Sequence, residues 1–143
     1  MSLKDAITDA GIVPPQKIKR GGIYPVPDDL IVFPEDRLPG ARKTPHERRY
    51  VLVLQAQEDC DDIIRLSVLV APLSRKKQAK AKTDYELPTG MRFPSLVKMG
   101  QVQPILKKDL DPFRAETILD KETMKDILAV LLANVGGVER PVS

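Results

Sequence analysis

Apolar and polar positions alternate in short stretches along most of this chain, with one long helical stripe near its end. The most continuous apolar region runs from Arg49 to Ser74. Tyr50-Val51-Leu52-Val53-Leu54 and Ile63-Ile64-Arg65-Leu66-Ser67-Val68-Leu69-Val70 flank the acidic stretch Glu58-Asp59-Cys60-Asp61-Asp62. Two β-branched runs around a polar turn predict an antiparallel hairpin through a core, with strands over 49–55 and 63–74. Shorter strands are expected at Ile23–Val26, Leu30–Phe33, Asp84–Pro88, and along Ser95–Met99 and Val102–Leu106, the last two as one bent strand or a pair hinged at Gly100. Pro25, Pro27 and Pro104 restrict their strands to edges, bends or bulges, because proline cannot donate to a ladder. Asp120 is placed to cap a helix whose Met124, Ile127, Leu128, Leu131, Leu132 and Val135 recur at helical spacing, with Gly136-Gly137 as its stop. That stripe has to be covered by the sheet or by a partner chain. Ser2–Ala10 can form a short capped helix ended by Gly11 and Pro14-Pro15, appended to the core as an arm. Many short strands followed by one helix describe a mainly β, α+β protein: a small barrel capped by a helix.

Composition narrows this picture. At 143 residues one domain with a proper core is expected. Three Tyr, three Phe and no Trp make that core aliphatic, and 13 prolines suit turn-rich β structure. A net charge of +3 permits an anionic partner without requiring one. The single cysteine, Cys60, rules out an internal disulfide or a cysteine metal site and makes cytoplasmic residence the default. It is read as an incidental thiol in a solvated turn. No apolar run approaches the ~20 residues of a membrane span, and no signal-peptide core is seen at the start.

Antiparallel pairing sets the start of one hairpin strand beside the end of the other, so Arg49 and Ser74 are expected to be neighbours. A cation and a hydroxyl at a barrel rim can bind an anion. The basic segment that follows, Arg75-Lys76-Lys77-Gln78-Ala79-Lys80-Ala81-Lys82, carries five cations in eight residues on that rim, enough to face a phosphate backbone. The long segment 26–47 feeds the hairpin from the other side and includes the only histidine, His46. Taken alone, each residue has a plainer reading. Arg49 can pair with Glu47 or Asp62, Ser74 can bond the backbone, Lys98 can be solvated, His46 can be an exposed loop residue, and Tyr24 and Tyr50 can simply pack.

Much chemistry is excluded. There is no phosphate-cradling glycine loop, dinucleotide fingerprint or zinc spacing, no nucleophile elbow at Ser74, and no calcium loop among the acidic residues. No cofactor and no metal is expected. Arg, Ser, Lys and His suit cleavage of RNA through its own 2′-hydroxyl, which needs proton transfer and cations around the phosphorane but no protein nucleophile. Arginine can clamp phosphate through two parallel hydrogen bonds.

At this point four segments resemble the MazF/PemK toxins of type II toxin–antitoxin systems. Arg20-Gly21-Gly22-Ile23-Tyr24 is similar to the family's opening Arg-Gly-acid-Ile-aromatic. Arg49 and its aliphatic strand are similar to its Arg-Pro strand, and Val70-Ala71-Pro72-Leu73-Ser74 to its Val-Pro-x-Thr/Ser. Ser95-Leu96-Val97-Lys98-Met99-Gly100-Gln101 is similar to a segment that carries Arg or Lys and then an acid. The resemblance spans about Arg20 to Gly136. It implies an SH3-like barrel over 20–137, with an arm over 1–19 and a tail over 138–143, and a homodimer. It also implies a metal-independent endoribonuclease acting on single-stranded RNA, and an antitoxin whose tail covers the site. By position, Arg49 and Ser74 match the catalytic arginine and threonine, Lys98 matches an arginine of some members, and His46 a histidine of others. Arg48, Arg75, Lys76, Lys77 and Lys80 are then the expected RNA contacts. Gly100 stands where members commonly carry an acid, and Tyr50 replaces the usual proline. Either Lys98 or His46 then donates the proton, or the same barrel binds RNA or protein with cleavage impaired.

Overall fold

Strands β2 (Arg48–Val53) and β3 (Ser67–Ser74) pair antiparallel at the centre of the sheet, with Val51 opposite Pro72, Leu52 opposite Ala71 and Val53 opposite Val70. The computed structural model describes residues 18–40, 48–75, 82–88 and 92–137. The anticipated N-terminal helix over Ser2–Ala10 lies outside them, as do His46, Lys76, Lys77 and Lys80. Ahead of β2 runs β1 (Gly22–Pro27), and beyond β3 come β4 (Tyr85–Glu86), β5 (Leu96–Val97), β6 (Gln103–Leu106) and β7 (Thr117–Ile118). The strand order is β4-β5-β3-β2-β1-β7, with β6 also on β3. This largely antiparallel sheet curls into a half-barrel, closed on one face by a C-terminal helix, as expected from the strand pattern.

Strand alternation sorts the core onto two faces. Val51 and Val53 of β2 and Val68 and Val70 of β3 join Tyr24, Val26, Ile31, Phe33, Ile105 and Leu110 on one face. Leu52, Leu54, Ala71 and Leu73 join Ile23, Leu87, Val97 and Met99 on the other, under the C-terminal helix. Ile23 and Tyr24 therefore go to opposite faces. Gly22 is dictated by this packing: a Cβ there would lie 2.6 Å from the Tyr24 ring. β7 reaches only Gly22 and Ile23 of β1, so Pro25 and Pro27 fall where β7 no longer pairs.

Two expectations about the connecting segments are corrected. The hairpin has no simple acidic turn: Gln57–Asp61 forms a short helix, α1, and Ile63–Leu66 is not strand. The inward side of α1 carries Cys60, which is buried, not solvated. Its last turn is held by Lys107, fully buried, whose Nζ donates to the carbonyls of Asp59 and Asp62 at 2.7 Å each. Second, Leu30–Phe33 is not a strand. Asp28–Leu30 is a 3-10 turn, and Val32 satisfies its backbone on a side chain, with its N–H donating to Gln103 Oε1 and its carbonyl accepting from Gln103 Nε2. A glutamine amide thus replaces a neighbouring strand. The apolar stripe of α2 (Lys121–Asn134) is covered by its own chain only along part of its length: Met124 and Ile127 are buried, whereas Leu132 and the following Val135 are exposed. Asp120 caps α2 by accepting from the Thr123 N–H at 2.7 Å, as the sequence indicates.

The anticipated bend at Gly100 is a 3-10 turn, Met99–Gln101. Between the pairs Leu73–Val97 and Val70–Gln103, β3 advances three residues while its partner advances six. β5 and β6 are thus one interrupted strand lying along β3.

Candidate active site

Continuing the β2–β3 ladder by two residues sets Arg49 opposite Ser74, the pairing expected from the hairpin. Alternation then puts both side chains on the face that carries Val51, Val53, Val68 and Val70, at its open end. A pocket of about 170 Å³ opens there, lined by Arg48, Arg49, Tyr50, Leu73, Ser74, Arg75 and Pro94. Four of the anticipated site residues are therefore gathered in one place: Arg48, Arg49, Ser74 and Arg75. Three of the seven lining residues are arginines, and none is a carboxylate.

Arg49 is held by two contacts that sequence reasoning did not find. Its Nε donates to Asp28 Oδ1 at 2.7 Å, with the side chains 16% and 15% exposed. Its guanidinium carbon lies 4.9 Å from the centroid of the Phe33 ring. Asp28 was hidden because it precedes Arg49 by 21 residues, across a long segment, and only the strand register shows its proximity. Pro27 pairs with Arg48, so the turn that starts at Asp28 begins beside β2. Glu47, anticipated as a possible partner, lies outside the described residues. Asp62 lies in the α1–β3 connection, where its side chain accepts from the Ile64 N–H.

Lys98 follows β5, and its N–H donates to the Pro72 carbonyl at 2.9 Å, which extends the ladder inward from Ser74. It does not line the pocket. Its side chain is buried, and its Nζ lies 2.8 Å from Asp84 Oδ2. Gly100 is exposed, and a Cβ there would meet only Thr83 Oγ1, at 3.4 Å. Tyr50 packs on the helix side, with its ring tilted against Phe93 at 6.1 Å.

Chemically, the pocket offers a fixed guanidinium, a hydroxyl on the opposite strand and two flanking cations. Such a set can bind a phosphodiester and stabilise negative charge developing on it.

Comparison with solved structures agrees with this architecture. The chain resembles an endoribonuclease in complex with its cognate antitoxin from a Mycobacterial species, at 13% identity and TM-score 0.59, covering 88% of this chain and 99% of the other. It resembles a second endoribonuclease from a Mycobacterial species at 13% identity and TM-score 0.61, with 88% and 97% covered. The MazE–MazF structure from Deinococcus radiodurans matches at 11% identity and TM-score 0.60, with 85% and 97% covered. At these identities the likeness establishes a shared fold. Comparison with curated protein sequences finds no significant match. The family model for the PemK-like, MazF-like toxin of type II toxin–antitoxin systems matches residues 33–135, most of the chain and the whole span from Phe33 through α2, and the protein belongs to that family.

Proposed function

We propose that this protein is a toxin endoribonuclease that cuts single-stranded RNA without a metal, using the RNA's own 2′-hydroxyl. The observation that carries this reading is the placement of Arg49 and Ser74 on one face of one pocket, with both η nitrogens of Arg49 unpaired among the described residues. In the reaction the 2′-oxygen bonds to phosphorus as its proton passes to an acceptor. The bond from phosphorus to the 5′-oxygen breaks, and that oxygen takes up a proton. The products are a 2′,3′-cyclic phosphate and a free 5′-hydroxyl. Arg49 stabilises the charged phosphorane and Ser74 positions the scissile phosphate. Arg48 and Arg75, with Lys76, Lys77 and Lys80 beyond them, guide the RNA backbone. Lys98, already held by Asp84, supports the strand end beside Ser74. His46 is the remaining candidate for proton transfer near neutral pH. The reading includes a homodimer acting in the cytoplasm, a barrel domain over 20–137, and a cognate antitoxin that covers the site.

The test is incubation of purified protein with varied single-stranded RNAs in chelator. Fragments ending in cyclic phosphate are expected from the wild type and not from Arg49→Ala. Wild type and variant equally inert across those sequences would defeat the proposal.

One observation favours a second reading. The seven described lining residues include no carboxylate and no histidine, and Gly100 stands in place of the family's acid. A barrel that binds RNA without cutting it would show salt-sensitive RNA binding and intact RNA in the same assay. Capture of a protein target independent of RNA would instead mark a protein-binding toxin.

A further inference from the structure

The segment from Asp28 to Phe33 touches Arg49 twice, and no part of the chemistry above requires it. Asp28 accepts from the guanidinium through Nε, and the guanidinium carbon sits over the Phe33 ring. These constraints act at different points: one engages the Nε–H of the guanidinium, the other holds its carbon over an aromatic ring. An arginine that can rotate about four side-chain torsions is thereby left with one edge, Nη1 and Nη2, to present. That edge can bind two phosphate oxygens at once.

The segment itself is anchored. Val26, Ile31 and Phe33 are buried, and the amide of Gln103 brackets the Val32 backbone with contacts of 3.0 and 3.1 Å. A side chain on β6 therefore holds the stretch that holds the arginine. The order of support runs from Gln103 to Val32, to the neighbouring Phe33, and to Arg49.

We infer that Asp28 and Phe33 are positioning residues that orient Arg49 end-on toward a phosphodiester, with Gln103 locking them in place. This rests on the endoribonuclease reading and assigns a purpose to the first part of the long β1–β2 connection. Orientation set at folding need not be set again at each turnover, which lowers the barrier when the guanidinium's best geometry is reached only with the phosphorane. The Asp28 carboxylate also subtracts one positive charge from the rim. Its benefit should accordingly lie in turnover, and ground-state binding should gain little from it.

The experiment combines kinetics with ¹⁵N NMR of the Arg49 Nε–Hε group, assigned by its loss in Arg49→Lys. In the wild type that signal is expected to be protected from solvent exchange, with or without RNA. Asp28→Ala should abolish the protection and lower kcat about 10- to 100-fold, with KM within about 3-fold of wild type. Asp28→Asn keeps an acceptor oxygen and should recover most of both losses. Phe33→Leu and Gln103→Ala, which leave the carboxylate in place, should lower kcat by smaller factors and broaden the signal. Wild-type kcat in folded Asp28→Ala, or an unprotected Nε–Hε in the wild type, would overturn the inference. Failure of the nuclease reading looks different: Arg49→Ala would then change nothing on RNA, while the Nε–Hε signal would still decide whether Asp28 and Phe33 fix the arginine.

Discussion

Lys98 Nζ and Asp84 Oδ2 lie 2.8 Å apart behind the rim that carries Ser74, with the two side chains 11% and 2% exposed. The pair joins the residue after β5 to the residue before β4, so it closes that corner of the sheet as well as balancing two charges. Removing Lys98 takes a charged hydrogen-bond donor away from a carboxylate in a desolvated site. Lys98→Met is therefore expected to cost about 1.5–3 kcal/mol in urea unfolding. Adding Asp84→Leu should return part of that loss, because an apolar pair of similar volume carries no buried charge. A double variant no more stable than Lys98→Met would show that the corner is held by other contacts.

A second expectation concerns alkaline pH. Burial pushes the Cys60 thiol above its ordinary value of 9.0, with the Lys107 ammonium pulling the other way. Tyr24 is likewise raised from 10.0 by burial. For both groups the folded protein keeps a proton that the unfolded chain releases, so stability is complete below the unfolded value and falls as pH rises past it. Lys107 is lowered from 10.5, mainly by burial, and acts in the opposite sense: the unfolded chain holds more protons, and stability rises with pH through its window. Cys60→Ala should flatten the fall that begins near pH 9 and leave the slope above pH 10 to Tyr24 and Lys107. Urea midpoints measured from pH 7 to 10.5 check this. A Cys60→Ala curve parallel to wild type through pH 9 to 10 would refute the assignment.

These two relationships also mark where the sequence was legible. The proximity of Arg49 and Ser74 followed from two aliphatic runs and the rule that antiparallel ends meet. It survived a wrong reading of the connection, because α1 and Ile63–Leu66 extend the loop without changing the register at Val51–Val53. The stripe and cap of α2 were plain from spacing. Burial of Cys60 was not, since α1 has five residues and its acidic neighbours mask a single inward position. Nor does anything local separate Lys107, fully buried, from the exposed Lys108 beside it. Asp28 and Asp84 read as ordinary turn and strand-edge acids until the register brought them to Arg49 and Lys98. Leu30–Phe33 misled because its strand-like composition is satisfied by a glutamine side chain. Local pattern carried the sheet, and long-range pairing of charges carried the details of the site.

Gly100 gives a direct test of the missing acid. It lies in the 3-10 turn after Lys98, its φ is not positive, and the nearest atom to an added Cβ is Thr83 Oγ1 at 3.4 Å. Gly100→Asp should therefore fold with stability within about 1 kcal/mol of wild type. If proton donation to the 5′-oxygen limits turnover, cleavage should rise, by up to on the order of 10². The donor must be protonated, so that gain should shrink as pH rises through the new carboxyl's pKa. Unchanged cleavage at every pH in a folded variant would show that leaving-group protonation is already supplied from elsewhere.

The cations at the pocket should be visible in the salt dependence of RNA binding. Each phosphate neutralised on a single strand contributes about −0.7 to the slope of log K against log salt. Arg48 and Arg75 flank Arg49 and Ser74 along the pocket, and both are exposed. Arg48→Ala and Arg75→Ala should each weaken binding across RNA sequences and make the slope shallower by about 0.7, the double variant by about 1.4. Arg65 provides the control. It is exposed in the α1–β3 connection, bonded to the Ser67 carbonyl and to Gln55 Oε1, and it lines no part of the pocket. Arg65→Ala removes the same formal charge from the molecule and should leave the slope unchanged. Fluorescence anisotropy of a labelled single-stranded RNA, with the catalytic step blocked by a 2′-deoxy sugar, measures the wild-type slope and those of the four variants. Equal effects of Arg65 and Arg75 would mean that the RNA responds to overall charge and not to this rim.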